Sequence, residues 1–355
     1  MRKQITKFIH VIVFLIALIG VSKSAISQPE SNHLYDIQHI TVEDGLPDRL
    51  VVKVIQDNDG FIWMNPLGYL TRYDGLQFKS YKNTLFKIEE EQYVDFNIDQ
   101  NNLFWCRALK DQPSNISIFA PQSEKITPFD EYFKGIAPFS SSDISFLHKQ
   151  EYEGNIHFLI YLNDGQLYNY DGKTFKKITT LIPPKKNEWR TPIFFKNHIW
   201  VINHFSVLKY SQKGKLLKQW SLEKNRHSYP KIFDNELYIF SQGLDKSYKV
   251  FSIKNDSLSI DYNSNLSTIP PASNSINSLN LDLFSLVWKN GKIVALNKQY
   301  EKIFEVKLES KTGILNASKI NSFAFDNQDN IWISSAEGIY KISKNTNLFK
   351  QYING

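Results

Sequence analysis

The chain has 355 residues, of which 42% are hydrophobic and 14% aromatic, and its formal net charge is +6. This length allows two ordinary domains or one large one, and 25 Phe, 18 Tyr and 7 Trp suit the half-buried surfaces of β-sheets. The single cysteine, Cys106, excludes an intrachain disulfide. Next to Trp105 in a predicted strand, it is expected to pack as a small apolar residue.

The first 27 residues predict a secretory signal peptide. Arg2, Lys3 and Lys7 precede a nearly unbroken apolar run over residues 8–21, and small residues at 25 and 27 offer a cleavage site. An uncleaved membrane anchor is the alternative, because the run is close to the shortest length that crosses a bilayer. No second apolar run suggests another membrane span. We therefore expect an exported, periplasmic protein (alternatively secreted or anchored) with one domain over residues 28–355.

Much of the positive charge belongs to this leader. Removing residues 1–27 takes away four cations and no acid, so the net charge falls from +6 to +2. The remaining Lys and Arg residues do not cluster beside stacking aromatic residues, which argues against nucleic acid as a partner.

A phrase of turn residues followed by alternating apolar residues recurs along the chain. It reads DNDGFIW at residues 57–63 and DNQDNIW at residues 326–332. Short alternating runs separated by Asp, Asn and Gly predict antiparallel strands joined by tight turns. Worn copies of the phrase end at residues 105, 158, 200, 238 and 294, which makes seven markers with Trp63 and Trp332. Such a period is typical of β-propeller blades of about 40–50 residues.

The predicted fold class is therefore all-β: a seven-bladed β-propeller of four-stranded antiparallel blades over about residues 35–352. Trp63, Trp105, Trp200 and Trp332 are expected in equivalent second strands, buried between neighbouring blades. Because a propeller leaves open edges unless its first and last blades join, the strand near residues 35–40 is expected to pair into the last blade.

Two chemical alternatives were weighed against plain turns and loops. The acids at 57, 59, 326 and 329 are spaced somewhat like a calcium loop, but the sixth-position Gly and twelfth-position Glu are missing. Turn chemistry alone favours Asp-Asn-Asp-Gly, so no metal and no cofactor are predicted. No histidine pair has metal-ligand spacing, and no nucleophile, phosphate or dinucleotide signature is present. No catalytic residue is therefore predicted.

Residues 43–47 (EDGLP), 54–63 (VIQDNDGFIW) and 70–75 (LTRYDG) resemble the two-component regulator propeller repeat, the periplasmic sensor portion of hybrid two-component systems of Bacteroidetes. The resemblance is specific over residues 35–81 and good over 318–352. In that family two propellers usually precede a β-sandwich, a transmembrane helix and a kinase, whereas this chain is one propeller long.

The resemblance implies an exported, non-enzymatic sensory propeller that binds an oligosaccharide or another small ligand. A second propeller or a sensor kinase would be its protein partner. The alternative is a propeller enzyme of lyase or hydrolase type acting on a polysaccharide or a cyclic ester. In that case a loop histidine, His204 or His227, would be the general base.

The ligand is expected on the face built by loops that enter each first strand and leave each second strand. The rule selects a polar rim of mixed sign, suited to hydroxyl-rich ligands, although each residue singly could be an ordinary solvated loop residue. Replacing its three arginines together by Ala is expected to abolish binding and to leave thermal unfolding nearly unchanged. The candidates are Arg49, Asn65, Arg107, Arg190, His204, His227 and Glu337.

Overall fold

The computed structural model describes residues 35–108, 116–152, 155–184, 190–222, 226–233, 235–243, 248–254, 257–264, 267–269, 285–289, 292–310, 313–314 and 320–344. The expected signal peptide and the last residues of the predicted propeller, 345–352, lie outside these ranges. Within them, no helix has the length and apolar character needed to cross a membrane.

Seven four-stranded antiparallel sheets form the blades, which confirms the predicted fold class. Short alternating runs form the strands, and Asp, Asn and Gly residues form the turns. Beyond β1 (Tyr35–Ile40), the strands of blades one to seven are β2–β5 (Val51–Gln56, Ile62–Pro66, Tyr69–Tyr73, Phe78–Lys82), β6–β9 (Val94–Ile98, Phe104–Ala108, Ser117–Ala120, Lys125–Pro128), β10–β13 (Ile144–Tyr152, Asn155–Leu162, Gln166–Tyr170, Phe175–Thr180), β14–β17 (Arg190–Phe195, His198–Asn203, Ser206–Ser211, Leu216–Ser221), β18–β21 (Arg226–Phe233, Glu236–Gly243, Tyr248–Lys254, Ser257–Ser264), β22–β25 (Ser267–Ile269, Ser285–Lys289, Lys292–Leu296, Lys302–Lys307) and β28–β30 (Ile320–Phe325, Ile331–Ser335, Gly338–Lys344).

Smaller elements connect the blades. A two-stranded ribbon, β26 (Glu309–Ser310) and β27 (Gly313–Ile314), lies between blades six and seven, and one short helix, α1 (Phe129–Tyr132), leads into blade three. Three 3-10 turns complete the described elements: Val42–Asp44, Asn83–Phe86 and Ser141–Asp143.

Strand β1 closes the ring. It pairs antiparallel with β30 from Tyr35↔Lys344 to Ile40↔Ile339, so the sheet order of blade seven is β1-β30-β29-β28. The N-terminal strand is thus the outermost strand of the last blade, as expected from the sequence. Blade seven is built from both ends of the described chain, which covers the outer hydrogen-bonding edge of β30.

The turn phrase forms the same hydrogen-bonded hairpin in blades one, two and seven. In blade one, Asp57 Oδ1 accepts hydrogen bonds from two backbone N–H groups of the turn, and Oδ2 accepts one from Trp63 Nε1 at 2.7 Å. Asp99 with Trp105 and Asp326 with Trp332 repeat these bonds, with indole distances of 3.2 and 2.8 Å. The turn interpretation of Asp57 and Asp326 is confirmed.

The four tryptophans lie in second strands as predicted, each at most 4% exposed. Two other markers were wrong in register. Tyr170 pairs with Phe158 as Tyr73 pairs with Ile62, so the residue equivalent to Trp63 in blade three is Leu159 rather than Phe158. In blade six, Val294 lies in the third strand, β24, rather than in the second. Where both faces of a strand are apolar, the sequence lacks the alternation that would reveal a one-residue error in the predicted register.

Connections emerge on two opposite faces of the ring. The rim face carries the loops at residues 41–50, 67–68, 83–93, 163–165, 181–184, 204–205 and 336–337, which enter first strands or join second to third strands. The hairpin face carries the turns at residues 57–61, 74–77, 99–103, 171–174, 196–197, 212–215 and 326–330, which join first to second or third to fourth strands.

Backbone hydrogen bonds lock neighbouring blades together on the rim face. Gly338 N donates to Arg49 O at 2.6 Å, and Gly68 N donates to Gln92 O at 3.3 Å. Gly338 has a φ of 108°, and a Cβ there would run into the carbonyl of Ile40. Only glycine allows this approach, so the rim is a packed surface rather than a set of independent loops.

Candidate functional site

All seven candidate residues lie at the rim end of their blades, but they differ in setting. Arg49, His204 and Glu337 occupy loops, as expected. The other four lie inside strands, because these strands extend further toward the rim than the turn residues indicated. These are Asn65 in β3, Arg107 in β7, Arg190 in β14 and His227 in β18. The His227 side chain lies outside the described part of the structure.

Arg49 and Glu337 come together where blades seven and one meet. The Arg49 carbonyl accepts the hydrogen bond from Gly338 N, and the Glu337 carbonyl pairs with His39 Nε2 at 2.7 Å. The His39 ring stacks on Tyr340 with centroids 4.2 Å apart. Arg49 is exposed and Glu337 is half-buried, so this sector of the rim offers one charge of each sign.

Asn65 and Arg107 meet in a buried polar cluster between blades one and two. Asp95 Oδ1 lies 3.2 Å from Lys53 Nζ, and Asp95 Oδ2 lies 3.1 Å from Arg107 Nε. Burial would raise the pKa of the Asp95 carboxyl, but Lys53 and Arg107 outweigh burial and lower that pKa to about 2. Asn65 Nδ2 donates to Val94 O at 2.9 Å, so the cluster holds the two blades together.

Arg190 is buried at the start of β14, where it pairs with Asn203 of β15. Its Nη1 donates to Ile182 O at 2.6 Å and to Tyr161 Oη at 3.1 Å. Arg190 therefore ties the connection that enters blade four to blade three. The next rim loop of blade four exposes Phe205, which is 54% accessible, with the His204 ring edge-on to it at 6.3 Å.

The burial of Arg107 and Arg190 corrects one expectation. Both side chains hydrogen-bond within the fold and are at most 8% exposed. Removing them leaves Asp95, Ile182 and Tyr161 without these donors, and such losses typically cost about 1–3 kcal/mol each. The triple arginine variant is therefore expected to unfold more easily, and only Arg49 remains a clean probe of binding.

The sequence did not predict that several titratable groups are buried. Alternation in a strand predicts that polar residues lie away from the core, whereas these polar residues are covered by neighbouring elements. Burial lowers the pKa of His148 to about 3 and that of Lys231 to about 8. Burial, followed by the charge of Lys53, lowers the pKa of Lys149 to about 8. Cys106 is fully buried and burial raises the pKa of its thiol, which confirms its predicted packing role.

Two cavities lie on the hairpin face, opposite the predicted site. One, of about 400 Å³, lies between blades three and four, and the other, of about 410 Å³, between blades seven and one. The second is lined mainly by polar side chains with Tyr73 and Trp332, whose rings meet edge-on at 6.2 Å. The sequence predicted neither cavity. Apolar alternation indicates that two sheets pack face to face, but it does not indicate where a gap remains between them.

Known structures share this fold. The chain matches a streptogramin B lyase at 13% identity over 89% of this chain and 100% of that chain, with a TM-score of 0.58. It also matches the extracellular domains of the hybrid two-component system BT3049 and the one-component system BT4673, both from B. thetaiotaomicron. These matches have 16% and 15% identity over 88% of this chain, with a TM-score of 0.57 for each.

The resemblance to two-component regulator propellers is confirmed at the level of the fold. The chain spans 42% and 40% of the two B. thetaiotaomicron chains. No protein-family model and no curated protein matches the sequence. At these identities the similarity establishes a seven-bladed propeller architecture shared with both sensor domains and an enzyme.

Proposed function

We propose that this chain is an exported, ligand-binding sensory propeller that performs no catalysis. The observation that carries the proposal is the shared architecture, over 88% of the chain, with two extracellular sensor domains. The apolar N-terminal run supports export. A second propeller or a sensor kinase is the proposed protein partner, by the same likeness.

The proposed ligand surface is the rim face, and the ligand class is an oligosaccharide. Among the described candidates, Arg49, His204 and Glu337 remain accessible to a ligand, with Phe205 next to His204, because Asn65, Arg107 and Arg190 hydrogen-bond within the fold. Charged groups of both signs at the junction of blades seven and one, together with the exposed Phe205 ring on blade four, suit a hydroxyl-rich ligand better than a polyanion.

The enzyme alternative rests on the match to a streptogramin B lyase. A lyase needs a general base within reach of its substrate. His204 lies on a two-residue rim loop, half-buried beside the exposed Phe205 ring. A ring on an exposed loop is poorly fixed for catalysis, so the binding function is preferred.

Binding of oligosaccharides to the purified mature chain, residues 28–355, tests the proposal. A glycan that binds is then titrated against Arg49→Ala and His204→Ala, each of which should weaken binding at least fivefold while unfolding stays unchanged. Lys79→Ala is the control, because Lys79 lies on the outermost strand of blade one, where its ion pair with Glu124 is exposed to solvent and contributes little to stability. If both rim variants bound the glycan as tightly as the wild type, the ligand would not bind on the rim face.

A further inference from the structure

The cavity between blades three and four has the features of a second ligand site, on the hairpin face. Its volume of about 400 Å³ lies in the lower part of the range of about 300–1,000 Å³ typical of small-molecule pockets. It therefore suits a small molecule rather than a polymer. Its lining residues are Gln150, His157, Leu159, Asn169, Lys176, Lys177, Ile178, Phe194 and Gln212.

One face of blade three supplies most of this lining. Strand register places Gln150 opposite His157, Leu159 opposite Asn169, and Asn169 opposite Lys176. Cross-strand partners project on the same side of a sheet. The row therefore runs from the innermost to the outermost strand of the blade, and its side chains share one wall of the cavity.

The cavity exists because blade three lacks a tryptophan. Leu159 occupies the position that Trp63 fills in blade one, where the indole packs against Phe104 of the next blade at 4.5 Å. Leucine is much smaller than tryptophan, and the volume it does not fill remains between Leu159 and Phe194 of blade four. The blade interface is thus open where its equivalents in blades one and two are closed by an indole.

The wall chemistry is basic and rich in amides. Lys176 is exposed at the mouth and faces the same side as Asn169. Lys177 is also in the lining. No Asp or Glu belongs to the described lining. The lining therefore favours a ligand with an anionic group over a neutral or cationic ligand. The lysine ammonium group offers that anion a compact positive charge.

The remaining polar groups suit hydroxyls. His157 Nδ1 lies 3.2 Å from Asn169 Oδ1, and this pair stands between the lysines and the apolar floor of Leu159, Ile178 and Phe194. Gln150 is engaged with the Phe194 backbone, at 2.8 Å from its N–H, so it fixes the wall. Asn169 and Gln212 each carry an amide donor and an acceptor that can serve a hydroxylated ligand.

We propose that this cavity binds a small polyhydroxylated carboxylate such as a sugar acid, with its carboxylate at Lys176 and its hydroxyls at Asn169 and Gln212. The ring of the ligand packs against Leu159 and Phe194. The site is separate from the rim face, and its occupancy does not depend on whether the propeller senses or catalyses.

Calorimetric titration of the mature chain with galacturonate and glucuronate tests this site, with galactose, glucose and inorganic phosphate as comparison ligands. We expect a hexuronate to bind saturably and the matched neutral hexose to bind at least tenfold more weakly. Equal affinity for acid and neutral sugar, tighter binding of phosphate, or no saturable binding by either hexuronate would each overturn the proposal.

Leu159→Trp tests the location, because it introduces the residue that closes the equivalent interfaces of blades one and two. It should weaken hexuronate binding at least tenfold, with circular dichroism confirming the fold. Asn169→Ala with Lys176→Ala is the second variant, and it should weaken binding by a similar factor even if the tryptophan disrupts packing. Lys213→Ala, which changes an exposed lysine outside the lining, should leave the affinity within twofold. Full affinity in either cavity variant would place the ligand elsewhere.

Discussion

Asp326 shows how one half-buried carboxylate connects a turn to a blade interface. It accepts two backbone hydrogen bonds from its own turn, one from the Asn330 amide and one from the Trp332 indole. Asp326→Ala leaves these donors without their acceptor, so the free energy of unfolding should fall by about 1–3 kcal/mol. Urea unfolding measures this loss. Asp36→Ala, an exposed acid in β1, is the control and should change stability by less than about 0.5 kcal/mol. Equal effects of the two substitutions would contradict the role of Asp326.

Asp95 makes stability depend on acid. Its pKa in the folded chain is about 2, below the ordinary value of 3.8, because Lys53 and Arg107 outweigh its burial. The unfolded chain therefore takes up a proton first as pH falls, and folded-state stability is lost between about pH 4 and pH 2. This loss amounts to about 2 kcal/mol.

Urea midpoints measured across that pH range, for the wild type and Asp95→Asn, test the contribution of Asp95. The variant should be less stable at pH 7, because Lys53 and Arg107 lose their counter-charge. Its stability should also fall less steeply between pH 4 and pH 2. An identical pH dependence in both proteins would show that Asp95 titrates normally.

At the scale of elements, β1 carries the closure of the ring. Ile40 is buried, and Ile37 packs against the core of blades six and seven. A chain that begins at residue 41 should be at least about 1.5 kcal/mol less stable than one that begins at residue 35, because a fully buried isoleucine such as Ile40 contributes about 1.5–3 kcal/mol. It should also associate through the exposed edge of β30.

Urea unfolding and light scattering of the two chains compare stability and association. If both chains were monomeric and equally stable, strand β1 would not be needed to stabilise the ring or to cover the edge of β30.

Strands and turns were predictable because their signals are local. The turn phrase at residues 57–63 specifies an aspartate, a tight turn and a tryptophan, and all three form as the pattern indicates. Register failed at Phe158, where both faces of β11 are apolar over Phe158–Leu162. The choice of Leu159 as the interface residue depends on blade four, which lies far along the chain.

At the scale of the whole molecule, the seven-bladed ring was predictable from the repeat, whereas the candidate site was predictable only in part. The topological rule placed all seven candidates at the rim end of their blades. It did not separate exposed Arg49 from buried Arg107, because burial of a strand end depends on partners such as Asp95 and Lys53 in neighbouring strands and blades. The two cavities arise between blades and left no local signal.

The proposed function requires that this propeller binds a ligand without transforming it. The most direct test is mass spectrometry of a bound oligosaccharide, incubated with purified mature chain at a concentration above its dissociation constant and sampled over a day. We expect the mass and the amount of the ligand to stay unchanged, as they do in a protein-free control. Cleavage, elimination or any new product that appears in proportion to protein concentration, and disappears in His204→Ala, would contradict this expectation and favour the lyase-type alternative.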